Sequence, residues 1–73
     1  MGVVQKRSVS IRGHRTSFSL EAEFFTELEA IAAKRNLSLA ALVAEIDESR
    51  DRESNLSSAL RVYVLREAQG KTG

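Results

Sequence analysis

The chain has 73 residues, 42% hydrophobic and 29% charged, and its 11 Lys and Arg nearly balance 10 Asp and Glu; this is the composition of one small soluble domain. No run approaches the roughly 18 apolar residues of a membrane span and no apolar signal core follows Met1, so a cytoplasmic protein without a membrane partner is expected. Zero cysteines exclude a disulfide framework and a thiolate zinc site, and with one His neither a metal nor another cofactor is expected. A chain this short buries only roughly 60% of its unfolded surface, so a homodimer is the expected remedy.

The near-neutral balance is a cancellation. Residues 1–17 carry Lys6, Arg7, Arg12 and Arg15 and no acid, whereas residues 18–53 hold nine acids against four bases. A basic N-terminal arm on an acidic body is a common footprint of nucleic-acid binding, although a solvated basic tail has the same composition.

In chain order, residues 1–13 read as a basic arm. From His14 to Leu20 apolar and polar residues alternate, with Thr16, Phe18 and Leu20 on one side; that period of two predicts a strand, and Gly13 marks a bulge or the break that precedes it. From Glu21 the period changes. Phe24, Leu28, Ile31 and Ala32 fall at i, i+4, i+7 and i+8, which predicts an amphipathic helix with Ser19 as its N-cap and Asn36 as a left-handed stop. Ser38 caps a second helix over 38–48, whose apolar positions are Leu39, Leu42, Val43 and Ile46.

Residues 47–54 are all polar and read as a frayed helix end and a surface linker. Asn55-Leu56-Ser57-Ser58 opens a third helix over 56–68 with a stripe of Leu56, Ala59, Leu60, Tyr63 and Val64. Val62 and Leu65 widen that stripe beyond one face, as in a helix covered on more than one side. Residues 69–73 read as a frayed tail. The expected core and dimer contacts are Thr16, Phe18, Leu20, Phe24, Leu28, Ile31, Leu42, Ile46, Leu60, Tyr63 and Val64.

Catalytic chemistry is not indicated. A nucleophilic Ser needs a base within reach, and the only His, His14, lies in the basic strand region with no acid near it in sequence. The four glycines are scattered and form no phosphate loop. The carboxylates at 21, 23, 27 and 29 read as a solvated helix face.

A basic strand, an amphipathic helix, a very short turn and a second helix resemble the ribbon-helix-helix family of DNA-binding proteins. The stretches that carry the resemblance are Arg15-Thr16-Ser17-Phe18-Ser19-Leu20-Glu21, Phe24-Phe25-Thr26-Glu27-Leu28 and Asn36-Leu37-Ser38-Leu39-Ala40-Ala41-Leu42. Gly13 to Glu21 together with Leu56 to Leu65 is similar to a short bacterial subfamily of that group. The resemblance implies a mainly α fold: one N-terminal strand pairing across an intertwined homodimer, two helices, and here a third C-terminal helix, the domain running over 14–68. It implies double-stranded DNA as the partner, read by a two-stranded ribbon in the major groove, with the dimer itself pairing on DNA.

Burying Thr16, Phe18 and Leu20 turns Arg15, Ser17 and Ser19 to the opposite face as base readers. Lys6, Arg7 and Arg12, and the start of the second helix at Leu37, Ser38 and Leu39, then become contacts to the DNA backbone. Glu21 stands where many family members carry Pro, and helix 56–68 competes for the second-helix role; in that case Ser57, Ser58 and Arg61 become the backbone contacts. Two further readings are carried forward: an antitoxin whose third helix holds a toxin through Val62, Tyr63 and Leu65, and a helical adaptor dimer whose arm binds an acidic protein.

Overall fold

The computed structural model describes residues 3–51, 53 and 55–70. Two strands, β1 (Val4–Ile11) and β2 (His14–Glu21), are followed by three helices, α1 (Ala22–Lys34), α2 (Leu39–Ser49) and α3 (Leu56–Gly70). The architecture is the expected N-terminal ribbon with two helices and an added third.

The ribbon differs from expectation in one respect: both of its strands belong to the same chain. β1 pairs antiparallel with β2, from Val4 opposite Glu21 to Ile11 opposite His14. Residues 4–11, read from sequence as part of an irregular arm, are therefore a strand. The cause is local. Arg12 and Gly13 both have positive φ, 51° and 83°, and a two-residue loop with that geometry has the twist that joins adjacent antiparallel strands. Gly13 is neither a bulge nor a break but the residue that closes the hairpin.

Register fixes the faces. Directly opposite residues share a face, so Val9, Ile11, Thr16, Phe18 and Leu20 lie together, and of these Ile11, Phe18 and Leu20 are buried. A lone two-stranded ribbon is marginal in water; here one face is covered by the helices. Leu20, Leu28, Leu42, Val43 and Leu60 form the centre of the core at under 2% exposure, and each such side chain stabilises the fold by about 1.5–3 kcal/mol.

α1 begins without a side-chain cap. Its N-cap position is Glu21, whose side chain makes no capping bond, and Ser19, expected there, remains in β2 because pairing with β1 runs on as far as Glu21. The helix ends as expected. Asn36 is left-handed (φ 59°), Leu37 N–H donates to the Ala32 carbonyl at 2.8 Å and Asn36 N–H to that of Ala33 at 3.1 Å, which is the reciprocal closure that satisfies a helix C-terminus. The Ser38 hydroxyl then accepts from Ala41 N–H at 3.1 Å and caps α2. α2 extends to Ser49, so the polar run from Asp47 is in part helical; Arg52 and Ser54 lie outside the described residues, as do Met1, Gly2 and Lys71 to Gly73. Asn55 opens α3, its Oδ1 accepting from Ser58 N–H at 2.7 Å.

Burial corrects the face of α1. Phe25 is buried, with Leu28 and Ala32, whereas Phe24 and Ile31 are half-buried at the edge of the core, as are Thr16 and Tyr63. Phe25 wins because its ring meets Phe18 of the ribbon, centroids 5.6 Å apart, while Phe24 lies beneath the Arg61 guanidinium at 5.9 Å. Leu42, Ile46, Leu60 and Val64 are buried as expected.

Candidate nucleic-acid interface

The face of the ribbon turned from the core carries Lys6, Ser8 and Ser10 on β1 and Arg15, Ser17 and Ser19 on β2. Lys6 is opposite Ser19, Ser8 opposite Ser17, and Ser10 opposite Arg15. Ser19 is half-buried and the other five are exposed. The pair Val4 and Glu21 continues the same face beyond Lys6 and Ser19, so one carboxylate borders these six positions. Neither Lys6 nor Arg15 has an ion-pair partner among the described residues.

Hydrogen-bond parity explains how the face is arranged. Ala22 N–H donates to the Val3 carbonyl at 3.1 Å, so the bonded pairs are the alternate ones that include the core-facing residues. The six outward residues therefore occupy the non-bonded pairs, where opposite Cα atoms lie only about 4.5 Å apart and side chains crowd together. Their own backbone groups point sideways off the ribbon. On the β2 side, Ser19 N–H is taken up by the Ser57 hydroxyl at 3.2 Å, which seats the first turn of α3 against the ribbon. Beside it Arg61 Nε donates to Glu21 at 3.1 Å. The backbone hydrogen bond that Glu21 accepts, and then Arg61, hold its carboxyl below the ordinary glutamate value.

Of the remaining basic residues read from the sequence, Arg7 and Arg12 are engaged with the body. Arg7 is on the core-facing side, its guanidinium 4.5 Å over the Phe25 ring and 3.1 Å from Glu29. Arg12, in the turn, lies 2.8 Å from Glu48 of α2. That last pair brings the C-terminal end of α2 to the hairpin turn, so Leu37, Ser38 and Leu39 stand at the other end of that helix, about 14 Å along its axis. Leu37 and Leu39 are half-buried against the core. Of the two candidate helix starts, the one seated on the ribbon is that of α3, with Ser57 and, one turn on, Arg61.

Sequence reading missed Ser8 and Ser10, because it took β1 for an arm. A signal was present: Lys6-Arg7-Ser8-Val9-Ser10-Ile11 and Arg15-Thr16-Ser17-Phe18-Ser19-Leu20 follow one pattern of cation, any residue, Ser, apolar, Ser, apolar.

No helix among the described residues is long and apolar enough to cross a membrane. No curated protein and no solved structure matches the chain. A family model described as a ribbon-helix-helix domain matches residues 4–68, which takes in the ribbon and nearly all of the three helices. Hairpin, helices and match agree: the chain belongs to the ribbon-helix-helix family, a DNA-binding, non-enzymatic fold whose kind of function is that of a regulator and whose members generally bind DNA as dimers.

Proposed function

We propose that the protein is a sequence-specific transcriptional regulator that inserts the β1–β2 ribbon into the major groove of double-stranded DNA. The observation that carries this reading is the outward face itself, where two cations without an ion-pair partner among the described residues and four hydroxyls stand together, and the one acid on that face, Glu21 at its end, is paired with Arg61. A two-stranded ribbon fits the roughly 12 Å major groove, where Arg15 reaches guanine O6 and N7 in bidentate fashion and Ser17 and Ser19 serve as donors or acceptors. Apart from Glu21, which ends β2 and is paired with Arg61, the acids of the chain lie on the helices and linker, where they repel phosphate and leave the ribbon as the favoured approach. Because β1 already completes the ribbon, a homodimer brings two whole ribbons to the DNA rather than sharing one, and the first turn of α3 lies nearest the phosphates that flank each.

The test is fluorescence anisotropy of the full chain on random and selected duplexes at two salt concentrations. The expected result is tighter binding to selected duplexes, a loss of about 1–3 kcal/mol per ribbon in Arg15→Ala, and an affinity that falls steeply with salt. No binding to any duplex at low salt overturns the reading.

A second reading, an antitoxin, is supported by Val62 and Leu65 of α3, which are 43% and 54% exposed; Val62 lines a cleft of about 350 Å³ together with Ile46, Ala59 and Tyr63. It keeps the ribbon for DNA and gives α3 to a toxin. Co-purification of a toxin with the native protein supports it, and loss of that toxin from Val62→Asp is the expected control.

A further inference from the structure

The repeated strand pattern has a geometric consequence. Each residue of β1 from Lys6 to Ile11 has its counterpart nine positions on in β2, and the antiparallel register centres the two copies on the pair Ser8 and Ser17. An axis through that pair, perpendicular to the sheet, exchanges Lys6 with Arg15, Ser8 with Ser17 and Ser10 with Ser19. On the core side the same axis exchanges Val9 with Phe18 and Ile11 with Leu20. Over these six positions one chain thus presents approximate two-fold symmetry: a cation at each of two diagonal corners, Ser10 and Ser19 at the other two, and Ser8 and Ser17 between them.

We propose that a single chain reads a short inverted element of double-stranded DNA, with Lys6 and Arg15 addressing equivalent base positions on opposite strands. This rests on the ribbon being the DNA-reading surface. The reason is symmetry matching, since the major groove has a local two-fold axis at every base pair and step, and a symmetric reader selects a symmetric site. The corner cations are separated by four residues along the ribbon, about 14 Å, which matches about four base-pair steps of 3.4 Å. Both Arg and Lys pair with guanine O6 and N7, and the rigid fork of Arg makes the Arg15 end the more selective. Lys6 is in this account a specificity residue rather than a backbone contact, and Ser8 and Ser10 join Ser17 and Ser19 as readers. The symmetry is broken at the Lys6–Ser19 end, where α3 half-covers Ser19 while its counterpart Ser10 is exposed, and where Val4 and Glu21 continue the face in place of the hairpin turn.

The experiment is selection of bound sequences from a random duplex pool by the full chain and by Lys6→Ala, Arg15→Ala and Lys6→Arg, with native mass spectrometry on a duplex holding one selected element. The expected element is an imperfect inverted repeat with guanines on opposite strands about four steps apart. Arg15→Ala abolishes a preference of about tenfold or more at one end, Lys6→Ala abolishes the preference at the other, Lys6→Arg equalises the two, and one chain occupies one element. Lys6→Ala weakening every duplex by the same factor, or two chains being needed for one element, overturns the inference while Arg15-dependent specificity keeps the regulator reading intact. If no duplex binds at low salt, the regulator reading fails first and this inference with it.

Discussion

The backbone N–H of Ser19 in β2 donates to the side-chain oxygen of Ser57 at the start of α3, 3.2 Å away and 38 residues along the chain. This one bond closes part of an open sheet edge and sets the added helix against the ribbon. Replacing Ser57 by Ala leaves a half-buried donor unpaired and is expected to lower stability by about 1 kcal/mol. Urea unfolding measures the loss, and amide exchange at Ser19 reports whether it is local; an unchanged exchange rate there would show that the bond does not hold the edge.

Arg7 and Arg15 are both exposed ribbon arginines, and their faces separate their roles. Arg7 stacks over Phe25 and pairs with Glu29 on the core-facing side, so Arg7→Ala is expected to cost about 0.5–1 kcal/mol of stability while leaving the ranking of DNA sequences as it was. Arg15→Ala should do the reverse. Parallel thermal melts and anisotropy titrations of the two variants decide it, and a reordering of sequence preference in Arg7→Ala refutes the assignment of faces.

Phe24 and Phe25 are adjacent and chemically identical, but only Phe25 is buried against Phe18. Phe25→Ala is expected to cost about 3–5 kcal/mol, enough to unfold much of a domain this small. Phe24→Ala, at the core margin beneath Arg61, should cost no more than about half as much. Circular dichroism melts of both variants compare them, and equal losses would contradict the burial.

Gly13 sits at φ 83° with open space where a Cβ would stand. Gly13→Ala therefore clashes with nothing and pays only the left-handed backbone penalty, about 1–2 kcal/mol. A denaturant midpoint unchanged within error would mean that the hairpin loop does not hold this conformation in solution.

Arg35 donates to both carboxylate oxygens of Glu45, at 2.8 and 3.0 Å, and to the Tyr63 hydroxyl at 3.2 Å. The hydrogen bonds from Arg35 come first in holding the Glu45 carboxyl below its ordinary value of 4.5; the same partners raise Arg35, which stays charged throughout. A carboxyl whose folded value is lowered contributes stability above 4.5, and that contribution disappears as the pH falls through the folded value. The parent should thus lose more stability than Glu45→Gln between pH 6 and 3, in a comparison of urea midpoints across that range. Parallel curves for the two proteins would remove the pair from the account of acid unfolding.

Much of this molecule was legible in the residues alone. The helix periods, the left-handed Asn36, the Ser38 cap and the alternation of Thr16, Phe18 and Leu20 with Arg15, Ser17 and Ser19 are local properties. Propensity, capping chemistry and the two-residue period of a strand act over a few neighbours, so a linear reading recovers them and, through them, the ribbon-helix-helix resemblance. What lay beyond that reading was the choice of partner for each surface. A strand's period tells which of its faces is buried but not which strand lies beside it, so the positive φ of Arg12 and Gly13, expressed in a closed hairpin, decided that β1 lies beside β2. Two adjacent phenylalanines carry the same hydrophobic drive, and only the position of Phe18 across the core selected Phe25. The start of a helix is marked by its cap, whether Ser38 or Asn55, but its position beside the ribbon is set by packing at long range, and it was the meeting of Ser57 with Ser19 that placed α3 there.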